Sequence, residues 1–195
     1  MKRVILSLAL SVAPLLAGQL SQEDREFAMS NLHASRKMFL DAIAGLSEAQ
    51  WKFKPAPDRW SIAECAEHIA RSEDFLFQLA TDKVMNTTAS PPQTPPARER
   101  DEAVLKMVTD RSQKFNAPEP LRPTGEWPAE EALVQHFKQS RDRTIRYAET
   151  TQDDLRSHSM KDRDAYQWLL FLSGHCERHT AQINEVKADP NFPRN

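Results

Sequence analysis

Apolar and small residues along this chain recur in alternating steps of three and four, the spacing that keeps one face of an α-helix out of water. Over 22–46 the stripe is Ala28, Leu32, Ser35, Phe39, Ala42 and Leu46. Over 61–84 it is Ile62, Cys65, Ile69, Ser72, Leu76 and Leu79, with His68 on its border. Leu133, Phe137, Ser140, Thr144 and Tyr147 mark a third helix that begins near Trp127. Trp168, Leu172, His175, His179, Ile183 and Val186 mark a fourth that runs to about Ala188. Four long helices, each with one buried stripe, predict an all-α four-helix bundle. A shorter, highly charged helix over 98–115, apolar at Ala103, Val104, Met107 and Val108, is extra to it.

Local punctuation agrees with these boundaries. Ser61 followed three residues later by Glu64 is a capping box, with Trp60 placed to staple onto Cys65. Pro128 suits the first position of the third helix, and Asp162 or Asp164 can cap the fourth, which Pro190 and Pro193 then stop. Pro55 and Pro57 force an extended connection, over which Trp51 and Phe53 are expected to plug one end of the core. Two proline-rich surface loops are predicted, one around Pro91, Pro92, Pro95 and Pro96, the other around Pro118, Pro120 and Pro123. The stretch 153–163 reads as a charged connection. The hydroxyls of Ser140 and Thr144 at the middle of the third stripe suggest a small polar cavity.

Composition adds little to the fold but narrows the function. The chain has 195 residues, the size of one domain, with only 4 glycines and few β-branched residues, which favours helix over sheet. A net charge of −2 with interspersed signs excludes a nucleic-acid footprint. Lys2 and Arg3 precede an apolar run from Val4 to Leu16, and Ala17 and Gly18 follow it. That layout is a secretory signal peptide, too short to span a membrane comfortably. It divides the chain into a signal peptide at 1–18 and a domain at 19–195. The mature protein is expected to be secreted or periplasmic and free of the membrane. In that compartment Cys65 and Cys176 can bridge the second and last helices, flank a site, or fill core volume, and core filling is the expectation.

The chemistry sits on the last stripe. His175 and His179 are four residues apart, about 40° around a helix axis, so both imidazoles point the same way from successive turns. Such a pair can offer two nitrogens to one divalent metal ion, and a third ligand must then come from another helix. His68, about two turns into the second helix, is the best placed. Glu64, on the face of His68, is the one visible candidate for a general base, although its capping role competes. Gln182, three residues after His179, can hydrogen-bond a ligand or a bound water. His33 and His158 are expected to be solvated, and His136 to lie at the surface.

The run Trp60-Ser61-Ile62-Ala63-Glu64-Cys65-Ala66-Glu67-His68-Ile69, followed late by His175-Cys176-Glu177-Arg178-His179-Thr180-Ala181-Gln182-Ile183, resembles the DinB-like (YfiT-like) metal-binding superfamily. The likeness covers essentially the whole chain after the leader, from about Ser21 to Pro193, and takes in the stretch Thr151-Gln152-Asp153-Asp154-Leu155. It implies an up-up-down-down four-helix bundle, a divalent metal (zinc, nickel or iron) held by His68, His175 and His179, and a homodimer. It also implies an activity of the kind known in that superfamily: S-transfer with mycothiol, bacillithiol or glutathione, or isomerisation of maleylpyruvate. Export argues against small cytosolic thiols and keeps a metal-dependent hydrolase beside the transferase, in either case acting on a small-molecule substrate. The alternative is a non-enzymatic metal- or ligand-binding module of the envelope.

Overall fold

The computed structural model describes residues 19–91, 97–127 and 129–194. The expected signal peptide at 1–18, the prolines within 92–96 and Pro128 lie outside them. The elements run α1 (Gln22–Ile43), α2 (Glu48–Lys52) and α3 (Ile62–Gln78), which continues as a π-helical stretch over Leu79–Val84. Then come α4 (Ala97–Thr109), a 3-10 turn at Glu119–Leu121, α5 (Glu130–Thr150), a two-stranded hairpin of β1 (Ser159–Met160) with β2 (Arg163–Asp164), and α6 (Ala165–Lys187).

Long-range hydrogen bonds fix how the four long helices run. Tyr166 donates to the carbonyl of Asp24 and Lys187 to that of Ala42, so α1 and α6 are parallel. Arg25 donates to the carbonyls of Ala148 and Glu149 while Arg36 pairs with Asp142, so α5 runs against α1. His136 meets Asp74 and Tyr147 meets Phe77, which makes α3 parallel to α5. Going round the bundle through α1, α6, α3 and α5, the helices therefore run up, up, down, down. Along the chain the order is up, down, down, up.

Helix starts are set by side chains that take up otherwise unpaired amides. Ser21, Ser47, Ser61 and Asp164 are each N-caps in complete capping boxes with Asp24, Gln50, Glu64 and Gln167. The Ser47 box starts α2, a five-residue helix in a stretch where the prolines suggested only extended chain. α5 has no side-chain cap and begins after Ala129. The charged connection holds the hairpin, whose tight turn puts Lys161 and Asp162 at φ 52° and 61°. α4 is shorter than its pattern suggested, and its Met107 is exposed.

The stripes are buried as their spacing requires: Ala28, Leu32, Ser35, Phe39 and Ala42 on α1, and Ile62, Cys65, Ile69, Ser72 and Leu76 on α3. The Ser140 hydroxyl donates to Asp74 and the Thr144 hydroxyl to the Ser140 carbonyl, and the position after Ser140 on α5, Arg141, is fully buried. Arg141 forks onto Glu73 with bonds of 2.8 and 2.6 Å, and its remaining nitrogen donates to the Leu32 carbonyl and the Ser35 hydroxyl. Both cysteines are free and buried in one apolar cluster with Phe39, Ile69, Phe137 and Ile183, so they do fill core volume. α4 packs on the outside of α6 where Gly174 has no side chain; a Cβ there would collide with Val108.

Candidate metal centre

α3 and α6 run antiparallel, so their mid-points face each other, and this brings His68 opposite His175 and His179. One ring nitrogen from each of the three histidines lies within 4.8 Å of the others. His68 Nε2 and His175 Nε2 are 3.2 Å apart, and the ring of His179 lies 4.4 Å from that of His68 and 4.5 Å from that of His175. Metal–nitrogen bonds of about 2.0–2.1 Å at a tetrahedral angle place two ligating nitrogens about 3.3 Å apart. The His68–His175 separation fits that spacing without any movement.

The outer ring nitrogens are already committed. His68 Nδ1 lies 2.7 Å from the carbonyl oxygen of Leu121, in the 3-10 turn. A carbonyl only accepts, so the proton of His68 is on Nδ1 and its Nε2 carries a lone pair. His179 Nδ1 lies 3.0 Å from Gln182 Oε1, which one helical turn away orients that ring in the same manner. Outward N–H bonds of this kind hold metal-binding imidazoles in the ligating tautomer. Burial holds all three histidines below the ordinary imidazole value. For His68 the Leu121 bond partly offsets it; for His175 the neighbouring His179 and His68 add to it; and for His179, where His68 adds to it, the value falls to about 3. All three rings are neutral at pH 7, the form that ligates a metal.

His68 is 2% exposed, and His175 and His179 are partly buried. Trp60, just before α3, lays its ring 5.0 Å from that of His68 and 6.3 Å from that of His179. Sequence spacing placed Trp60 as a staple on the helix; its ring also forms a wall of the site. The same indole lines an open cleft with Glu64, Asn116, Ala117, Arg122 and Pro123.

Glu64 does not point its carboxylate at the histidines. One oxygen accepts from the Ser61 amide at the helix start, at 2.8 Å, and the other from the Lys54 ammonium at 2.9 Å. Gln182 does bond a ligand-type histidine. His33 is exposed as expected. His158 is not simply solvated: it is partly buried, with Nδ1 2.7 Å from the Thr87 carbonyl. His136 pairs with Asp74 at 2.8 Å beneath Trp127, away from the triad.

Sequence reasoning missed the segment that roofs the site. Residues 110–127 are held by the two residues that immediately precede ligand-type histidines. Glu67 accepts from the amides of Thr124, Gly125 and Glu126, and Arg178 donates to the carbonyls of Val108, Asp110 and Gln113. Only the unusual burial of two charged residues beside histidines on a stripe could have signalled this, and burial is not visible in a sequence.

A family model described as the DinB superfamily matches residues 31–183. An uncharacterised protein of Bacillus subtilis (strain 168), YuaE, is 24% identical over 164 residues, which cover 82% of this chain and 96% of that protein. No solved structure matches the chain significantly.

Proposed function

The chain belongs to the DinB superfamily, and we propose that it is an exported metal-dependent enzyme acting on a small molecule. The observation that carries this reading is the convergence of His68, His175 and His179, with nitrogens within 4.8 Å of one another. Among the described residues the group has three members and no fourth His, Cys, Asp or Glu. Three protein ligands with room for a further one is the donor set of catalytic rather than structural sites. A bound divalent ion would supply Lewis acidity and lower the pKa of a coordinated water or thiol. The donor set of three imidazoles suits zinc, nickel or iron.

The chain's own residues contribute position and an apolar wall. Leu121 and Gln182 hold two of the rings in the ligating tautomer. Trp60 covers the rings of His68 and His179 and gives the adjoining cleft an apolar wall against which a substrate can rest. Hydrolysis is favoured over thiol transfer by the leader-like pattern of residues 1–18, which supports a secreted or periplasmic location away from cytosolic thiols. The test is hydrolysis of a panel of ester, amide and phosphoester substrates by metal-loaded protein. Turnover that disappears on chelation and in His179→Ala supports the reading, and turnover indifferent to both overturns it.

A second reading has its own observation. With Glu64 tied to Ser61 and Lys54, that carboxylate is not free to act as a general base. A non-enzymatic envelope module, in which the ion staples α3 to α6, needs none. It predicts that metal raises the melting temperature while the substrate panel stays silent.

A further inference from the structure

Glu67 is 5% exposed, on the turn of α3 that carries His68, and apart from a 3.5 Å pairing with Arg71 on its own helix its interactions are directed at the roof segment. One oxygen accepts from the Thr124 amide at 2.7 Å, the Thr124 hydroxyl at 3.2 Å and the Glu126 amide at 3.4 Å; the other accepts from the Gly125 amide at 2.9 Å. Gly125 has φ +77°, the left-handed conformation that turns successive amides toward one point. Arg71 closes the arrangement, donating to the Pro120 carbonyl and the Thr124 hydroxyl and pairing with Glu126. Burial alone would raise the Glu67 carboxyl; the three amides outweigh it and hold the group below its ordinary value. The carboxylate is therefore charged and fully engaged at neutral pH.

The same short segment carries Leu121, whose carbonyl is the acceptor for His68 Nδ1. Leu121 is separated from Thr124 by two residues, Arg122 and Pro123, and Pro123 has a fixed φ that limits independent movement of the two ends. Fixing 124–126 on Glu67 thus fixes the Leu121 carbonyl against His68. We propose that Glu67 is a positioning residue for the metal centre: its grip on the Thr124, Gly125 and Glu126 amides holds the Leu121 carbonyl on His68 Nδ1 and so keeps Nε2 free and aimed at His175 and His179.

This rests on the metal reading above, and the test separates the two. The imidazole nitrogen shifts of metal-free, ¹⁵N-labelled protein report the His68 tautomer directly, and competition with a chromogenic chelator reports zinc affinity. The wild type is expected to show His68 protonated on Nδ1. In Glu67→Ala the resonance moves toward a mixture with the Nε2–H form and zinc affinity falls about 10- to 100-fold, the range for residues that orient ligands from outside. Glu67→Gln preserves the volume and one acceptor oxygen; it keeps the proposal testable if the alanine variant fails to fold, and it should shift the tautomer in the same direction. Circular dichroism confirms that the variants are folded. Should the folded variants keep His68 on the Nδ1–H tautomer and bind zinc as the wild type does, the positioning role is overturned. If the wild type binds no zinc, the metal reading fails, while the tautomer shift in metal-free protein still decides what Glu67 does.

Discussion

Arg141 of α5 and Glu73 of α3 form a bidentate ion pair at the centre of the bundle, with side chains 0% and 2% exposed. Two charges at that depth are tolerated because every guanidinium nitrogen has an acceptor: the Leu32 carbonyl and the Ser35 hydroxyl take the nitrogen that Glu73 leaves. Removing one partner strands the other in low dielectric. Arg141→Met should therefore destabilise the fold by about 3–5 kcal/mol in denaturant unfolding, whereas Arg141→Met with Glu73→Leu should recover most of that loss. A single variant as stable as wild type would contradict the pairing.

A second prediction concerns the seat of α4 on α6. Gly174→Ala would drive a methyl group into Val108. Overpacking of this kind costs about 1–3 kcal/mol, and the better helix propensity of alanine returns about 1 kcal/mol. The variant should melt below wild type. Because position 174 adjoins His175, it should also bind metal more weakly; a variant that melts higher would show that α4 is not held there.

The two thiols should be chemically silent. Burial pushes both Cys65 and Cys176 up to about 12, and both are free. Iodoacetamide at pH 8 is expected to leave the folded protein unmodified and to label both residues once it is denatured, with no reductant needed. Rapid labelling of the native protein would contradict their place in the core.

Much of this architecture was legible in the residues, and the exceptions share a cause. The α1 stripe, the Ser61 and Asp164 caps and the histidine pair depend on contacts within a few positions of one another, so spacing reveals them. Arg141 and Glu73 are charged residues whose burial requires partners from two other helices, and no local signal marks that. Ser140 and Thr144 suggested a cavity, whereas their hydroxyls bond Asp74 and the Ser140 carbonyl. Likewise the second partner of His68 is a backbone carbonyl 53 positions away, which any residue at 121 would supply equally. Glu64 shares the face of His68, and its carboxylate is engaged by the Ser61 amide and by Lys54, of which spacing revealed only the first. α2 was not legible because a five-residue helix has too few positions to show a buried stripe, and Pro55 and Pro57 follow it closely.

The roof segment should respond to acid. Glu67 is held below the ordinary carboxylate value of about 4.3. A depressed folded value means its contribution is complete above about 4.3 and is lost as pH falls through the lower folded value. The amide resonances of Thr124 and Gly125 should titrate with a midpoint below about 4.3, and should not titrate in Glu67→Gln. A midpoint above that value would mean that the amides do not stabilise the charged form.

The central claim is that His68, His175 and His179 together hold one divalent ion, and elemental analysis of the purified protein tests it most directly. The wild type is predicted to carry close to one equivalent of zinc, nickel or iron per chain, and His68→Ala, His175→Ala and His179→Ala each to lose it while remaining helical. Folded variants that retain the full metal content of the wild type would contradict the claim.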